Sequence, residues 1–394
     1  MLVLIFCFLI SMCLGIYYII KTRSYGVINI SFISVLLKLI LGVLGVYIAL
    51  PFSGTDAKRF EMLASYWSEM PITEILVSID VTGSYVISSL TAIMYALIEK
   101  NIAIPVFVNV SIAILVFFLA LKLANRVWND HQLNGFFALV LALHPIMNVN
   151  SAVVLRETYI YFFVVLASLS IVNFAWTHRV RYATLFLMYV LLASFFHGAM
   201  LLMALGLPIY ALIRPGLGFW KKLLLAGFIF FIFILVFQYF DFSKLKSITD
   251  GSIFGVEYFQ DIQLRRKEAN TVYLPDLIPT NFFDLVWQTP IRILFLLVKP
   301  FPWDIQSFGH FLAFTEAMIW WLIIFLFIKN WSIIRRNPAC LALLCISAVA
   351  LIAFSYGTSN FGTGIRHRAK FFVIAWVIIY PFLPRFTFRR MKKS

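Results

Sequence analysis

Charged residues are scarce in this chain of 394 residues: Asp, Glu, Lys and Arg make up 12% of it, against 62% apolar and 18% aromatic. Soluble domains are about one quarter charged and about half apolar, so the composition excludes a soluble enzyme and a disordered chain. Cysteine is scarce too. Cys7, Cys13, Cys340 and Cys345 are the only four, and all lie in apolar runs. A secreted disulfide scaffold is thereby excluded, and no disulfide is expected. The motifs HExxH, CxxC and DxD are missing, as is the phosphate loop GxxxxGK followed by Ser or Thr. Neither a metal nor another cofactor is expected; Asp56 with Glu61 is the nearest approach to a carboxylate pair. No internal repeat and no soluble domain can be discerned.

What remains is a chain made for hydrocarbon. A membrane span needs about 20 apolar residues. Runs of that kind lie at 2–20, 31–51, 102–123, 160–176, 223–240, 311–328, 339–354 and 371–383. The opening MLVLIFCFLISMCLGIYYIIKTR has no basic leader and no small-residue cleavage site, so it reads as an uncleaved first span. Residues 135–149 and 182–213 fit no standard span. As one helix 182–213 would be about 48 Å long, against a bilayer core of about 30 Å. Basic residues flank it on both sides, Arg179 and Arg181 before and Arg214, Lys221 and Lys222 after. A split at His197-Gly198 into two short helices returns both ends to one side.

The formal charge of +15 comes from 32 Lys and Arg against 17 Asp and Glu. In a soluble chain this would raise nucleic acid as a partner; here the positive-inside rule accounts for it. Eleven spans, with the N-terminus outside and the C-terminus inside, put 18 basic residues inside against one acid, Asp130, and leave 14 basic against 16 acidic outside. No nucleic acid is needed. Lys38 falls within a span and is expected to snorkel to the inner interface. The expected fold is all-α, a single transmembrane domain over 1–394 with about eleven helices. Outer-face pieces lie at 52–100, 241–309 and 356–370. Within them 85–98 and 291–298 are too short to span and read as juxtamembrane or re-entrant helices.

Ionisable residues at membrane depth or its edge are costly and mark function. Four groups stand at the outer ends of spans. In GTDAKRFE, Asp56 and Arg59 lie one helical turn apart, which sets a carboxylate where a lipid head group would end; a helix cap is the simpler role. In VLRETY, Glu157 suits a helix start and Arg156 does not, while an Arg at the rim suits bidentate phosphate binding. His197 sits at the recessed turn, where exposed backbone must line a cavity or be buried. Finally, Gly-rich residues 356–370 end in Arg366, His367, Arg368 and Lys370, a cradle for a pyrophosphate or a site for phospholipid head groups. Arg292, Lys299 and Asp304 form a lesser group beside interfacial aromatics.

The motifs GTDAKRF, VLRETYIYF, ASFFHG, PFPWD and IRHRAKFF, in this order over most of the chain, resemble the Wzy-type O-antigen polymerases and the related EpsG-like proteins. GTDAKRFEMLASYW also resembles the first outer loop of GT-C glycosyltransferases, although only Asp56 matches their paired acids. The resemblance implies a bacterial inner-membrane polymerase working on the periplasmic face. Its donor and acceptor would be undecaprenyl-diphosphate-linked oligosaccharides, with a chain-length regulator and a flippase as possible partners in the pathway. Asp56, His197 and Glu157 are then the catalytic candidates. Arg156, Arg366, Arg368, Lys370 and His367 are the diphosphate ligands, and Arg59, Arg292 and Lys299 are further candidates. A GT-C transferase adding one sugar from a polyprenyl-phosphate donor and a lipid-linked glycan transporter remain the alternatives.

Overall fold

A computed structural model describes residues 2–21, 27–51, 54–77, 85–131, 133–213, 282–358 and 361–385, with a few isolated positions between them. Every element among these residues is helical, as hydrocarbon requires of a chain that must satisfy its own backbone. The order is α1 (Leu2–Lys21), α2 (Ile28–Tyr47), α3 (Gly54–Trp67), α4 (Ile72–Val77), α5 (Val86–Leu97), α6 (Ala103–Trp128), α7 (Gly135–Leu143), α8 (Pro145–Ser151), α9 (Glu157–Thr177) and α10 (Val180–Phe196). A 3-10 segment, Gly198–Leu205, leads into α11 (Gly206–Ile213). Then come α12 (Phe282–Val298), α13 (Phe308–Lys329), α14 (Pro338–Gly357) and α15 (Phe361–Ile378). Six of these, α1, α2, α6, α9, α13 and α14, are long and apolar enough to cross a membrane. The chain is a helical membrane protein.

The innermost helices are α6 and α9. α6 packs on α1, α2 and α9, while α9 also meets α10, α14 and α15. α1 is the reverse case: only Ser11, Gly15 and Ile19 are buried, while Leu2, Ile5, Phe6, Leu9 and Ile10 are exposed. Close approach depends on small residues. A methyl group added at Gly45 of α2 would stand 1.8 Å from the Ala152 carbonyl oxygen, which is backbone and cannot yield. Gly45→Ala is therefore expected to lower stability by about 1–3 kcal/mol. Gly357→Ala, where an added Cβ meets nothing within 4 Å, serves as the control. Thermal unfolding in detergent checks both.

Helix α10 ends at Phe196, and His197 is extended with φ −158°, so the break lies where the charge argument puts it. Residues 135–149 are likewise two helices, α7 and α8, broken at His144-Pro145, with His144 Nδ1 accepting from Met147 N–H at 3.3 Å. Three expectations need correcting. The short helix at 291–298 is the second half of α12, which starts at Phe282 and continues through Pro290. The flexible cradle at 356–370 is largely helical: α14 runs on to Gly357, and α15 begins at Phe361 and carries IRHRAK without a break into its apolar part. Lys38 does not snorkel. It is buried, its Nζ donating to Ser34 Oγ at 2.9 Å and lying 5.5 Å from the Phe117 ring centre. The span expected at 223–240 and most of 241–281 lie outside the described residues.

Two sets of contacts define the ends of the bundle. At one, Tyr380 O–H donates to Asp130 Oδ2 at 2.7 Å and accepts from Asn134 N–H at 2.9 Å, and Arg385 lies 3.5 Å from Asp130. At the other end, α3 meets α15 roughly 20 Å along the helix from Tyr380. There α3, α4 and α5 form their own small core of Ala64, Ile75, Ala92 and Tyr95.

Candidate functional site

The site end is organised by α15. Successive helix residues point about 100° apart, so Arg366, His367 and Arg368 face three different neighbours. Arg366 faces α3 and α9. Its Nη1 donates to Asp56 Oδ2 at 2.5 Å, with the Arg side chain 19% and the Asp side chain 44% exposed. Asp56 lies in the first turn of α3. One turn on, Phe60 is buried and carries the Arg156 guanidinium 5.9 Å above its ring. Glu157, the first residue of α9, is buried. The charges within reach of Arg156 are Glu157, Arg366 and Asp56, and those acting on Arg366 are Glu157 and Asp56. Asp56, Arg156, Glu157 and Arg366 thus form one cluster, drawn from three segments far apart in sequence.

His367 faces α10 and α14. Its ring lies 5.2 Å from His197 and 4.5 Å from Phe354, and Lys370 Nζ stands 3.0 Å from its Nδ1. Lys370, four residues after Arg366, projects between the Arg366 and His367 directions and also covers Phe354 at 4.8 Å. His197, His367 and Lys370 thereby form a second group on the same helix turn as Arg366.

Arg368 is turned elsewhere. It is fully buried, and its guanidinium donates to the carbonyls of Leu297, Lys299 and Ala313 and to Glu316 Oε2 at 3.0 Å. Its position corrects the expectation that it faces a diphosphate, since these donors are occupied by protein. Arg292 is buried beside Gln288 and Tyr356, and Lys299 lies 4.0 Å from Asp304. Arg59 is exposed and rests on the Tyr85 ring at 5.2 Å. These three stand outside both groups. The chain matches no family model, no curated protein and no solved structure. Among the described residues no three His, Cys, Asp or Glu side chains gather closely enough to share a metal ion.

The sequence reading passed over one buried charge. Glu316 in α13 is fully buried, paired with Arg368 on one oxygen and 3.5 Å from His144 Nε2 on the other. Its signal was available: it is the lone acid within the apolar run 311–328. Tyr161 was also passed over. It lies one turn beyond Glu157 on α9, and its hydroxyl accepts from Asn150 Nδ2 at 2.6 Å. The side chain lines a small cleft shared with Lys38 and Asn148.

Proposed function

We propose that this chain is a membrane glycosyltransferase that polymerises undecaprenyl-diphosphate-linked repeat units on the periplasmic face of the bacterial inner membrane. In this reading it has about eleven spans in a GT-C-like arrangement, with the N-terminus periplasmic and the C-terminus cytoplasmic. The observation that carries it is the charge balance at the site end. Arg156, Arg366 and Lys370 outnumber Asp56 and Glu157, and two imidazoles stand beside them. Surplus cation, half-buried at Arg156 and Arg366 and buried at Lys370, suits an anionic ligand, and a fixed set of donors stabilises the charge that develops on a departing diphosphate. The guanidinium forks of Arg156 and Arg366 match phosphate oxygens. Asp56, Glu157 and His197 provide the choice of proton acceptors that an attacking sugar hydroxyl requires.

A strain deleted for this chain tests the reading. Complementation is expected to restore a ladder of glycan lengths; one added mass increment would instead mean single-sugar transfer. A second reading rests on Lys38. Charge buried in mid-span is a mark of transporters, and Lys38 is such a charge. Lys38→Met separates the two. The polymerase reading expects a ladder within about twofold of wild type, because among the described residues Lys38 bonds a hydroxyl and pairs with no acid, so no buried counter-charge is stranded by its removal. Loss of all surface glycan, with lipid-linked repeat units left on the cytoplasmic side, would favour transport.

A further inference from the structure

If the chain joins sugar units as proposed, one group must take the proton of the attacking hydroxyl. Three candidates stand near the cations, and their surroundings differ. One Asp56 oxygen is occupied by Arg366 at 2.5 Å. The His197 ring is packed against Phe354 at 4.9 Å and edge-on to His367, on the side of α15 that His367 faces, about 100° round from Arg366. Glu157 is 3% exposed, and its Oε2 is buried with no hydrogen-bond donor among the described residues. Arg156 and Arg366 both lie within electrostatic reach of it.

Buried polar atoms are nearly always satisfied, and leaving a charged one bare costs more than leaving a neutral one. A carboxylate oxygen with no donor among the described residues and two cations within reach therefore fits a ligand that brings a hydroxyl hydrogen together with negative charge for the arginines. A sugar acceptor meeting a glycosyl diphosphate has both. We infer that Glu157 accepts the proton of the attacking sugar hydroxyl, while Arg156 and Arg366 flank the diphosphate and Asp56 positions Arg366. In this step the acceptor oxygen forms a bond to the anomeric carbon of the donor. The bond from that carbon to the phosphate oxygen breaks, and its electron pair leaves with undecaprenyl diphosphate. The hydroxyl proton passes to a Glu157 oxygen and from there to water.

The assignment rests on the polymerase reading, and the test keeps the two apart. Purified protein in nanodiscs is given lipid-linked repeat units extracted from the deletion strain, and undecaprenyl diphosphate serves as the binding probe. Glu157→Gln is expected to bind the probe within about threefold of wild type but to transfer at least about 100-fold more slowly. Asp56→Asn is expected to do the opposite, weakening probe binding by about fivefold or more with the smaller loss in turnover. Glu157→Asp, whose carboxylate is drawn back by one methylene, should keep probe binding and fall by about tenfold or more in turnover. This variant decides the matter if the Gln form fails to reach the membrane. Transfer by Glu157→Gln within about tenfold of wild type, or by Glu157→Asp at the full rate, would overturn the inference and leave the polymerase reading standing. No glycosidic bond from the wild-type protein would overturn both.

Discussion

On the polymerase reading, Arg366→Ala is expected to abolish the long-chain ladder while leaving the protein in the membrane at its normal level. The reasoning compares two magnitudes. The ion pair that the variant removes joins an Asp side chain 44% exposed to an Arg side chain 19% exposed. Pairs open to solvent contribute about 0–1 kcal/mol to stability, so the fold should survive. Stabilising a leaving diphosphate is another matter. Losing one fixed donor of transition-state charge costs about 10²–10³ in rate. Arg366→Lys should recover only part of this, because an ammonium is a point charge and cannot fork across two phosphate oxygens. The measurement is a ladder gel normalised to membrane protein. Wild-type chain lengths in Arg366→Ala would remove Arg366 from the chemistry.

The second large effect is on stability, at Glu316. Glu316→Ala is expected to cost about 3–5 kcal/mol, because it leaves the fully buried Arg368 without its counter-charge. That is enough to empty the membrane of folded protein, since total stabilities are only about 5–15 kcal/mol. Glu316→Leu combined with Arg368→Met should recover most of the loss, because two well-packed apolar groups replace a buried pair at little or no cost. Membrane abundance and thermal unfolding in detergent measure both. If the single variant is as stable as wild type, the pair does not hold α13 to α15.

Much of this arrangement was legible in the sequence for one physical reason: charge is so expensive in an apolar chain that each instance needs an explanation. Asp56, Arg156, Glu157 and Arg366 were visible as charges at the ends of apolar runs, and the balance of basic residues placed those ends on one side. His197 was visible because no bilayer accommodates 182–213 as one helix. The failures have an equally specific cause. Arg366, His367, Arg368 and Lys370 are adjacent in sequence and read as one patch, yet a helix fans adjacent residues apart, and Arg368 found its own acid 52 positions away. Nothing local marks that partner, because Glu316 sits in a different span. Lys38 misled for a similar reason: the sequence gives its depth in the membrane but not whether protein or lipid surrounds it.

Helix α15 is fastened near both extremities, by Asp56 at Arg366 and by Asp130 at Tyr380, and riveted between them through Arg368. Such a rod can neither slide nor roll without undoing several fastenings at once. Only the first of these clamps reaches α3, a short helix that shares a small core with α4 and α5 while its Phe60 packs into the main one. The Asp56 to Arg366 contact is thus the fastening that ties this rod to the small core of α3, α4 and α5.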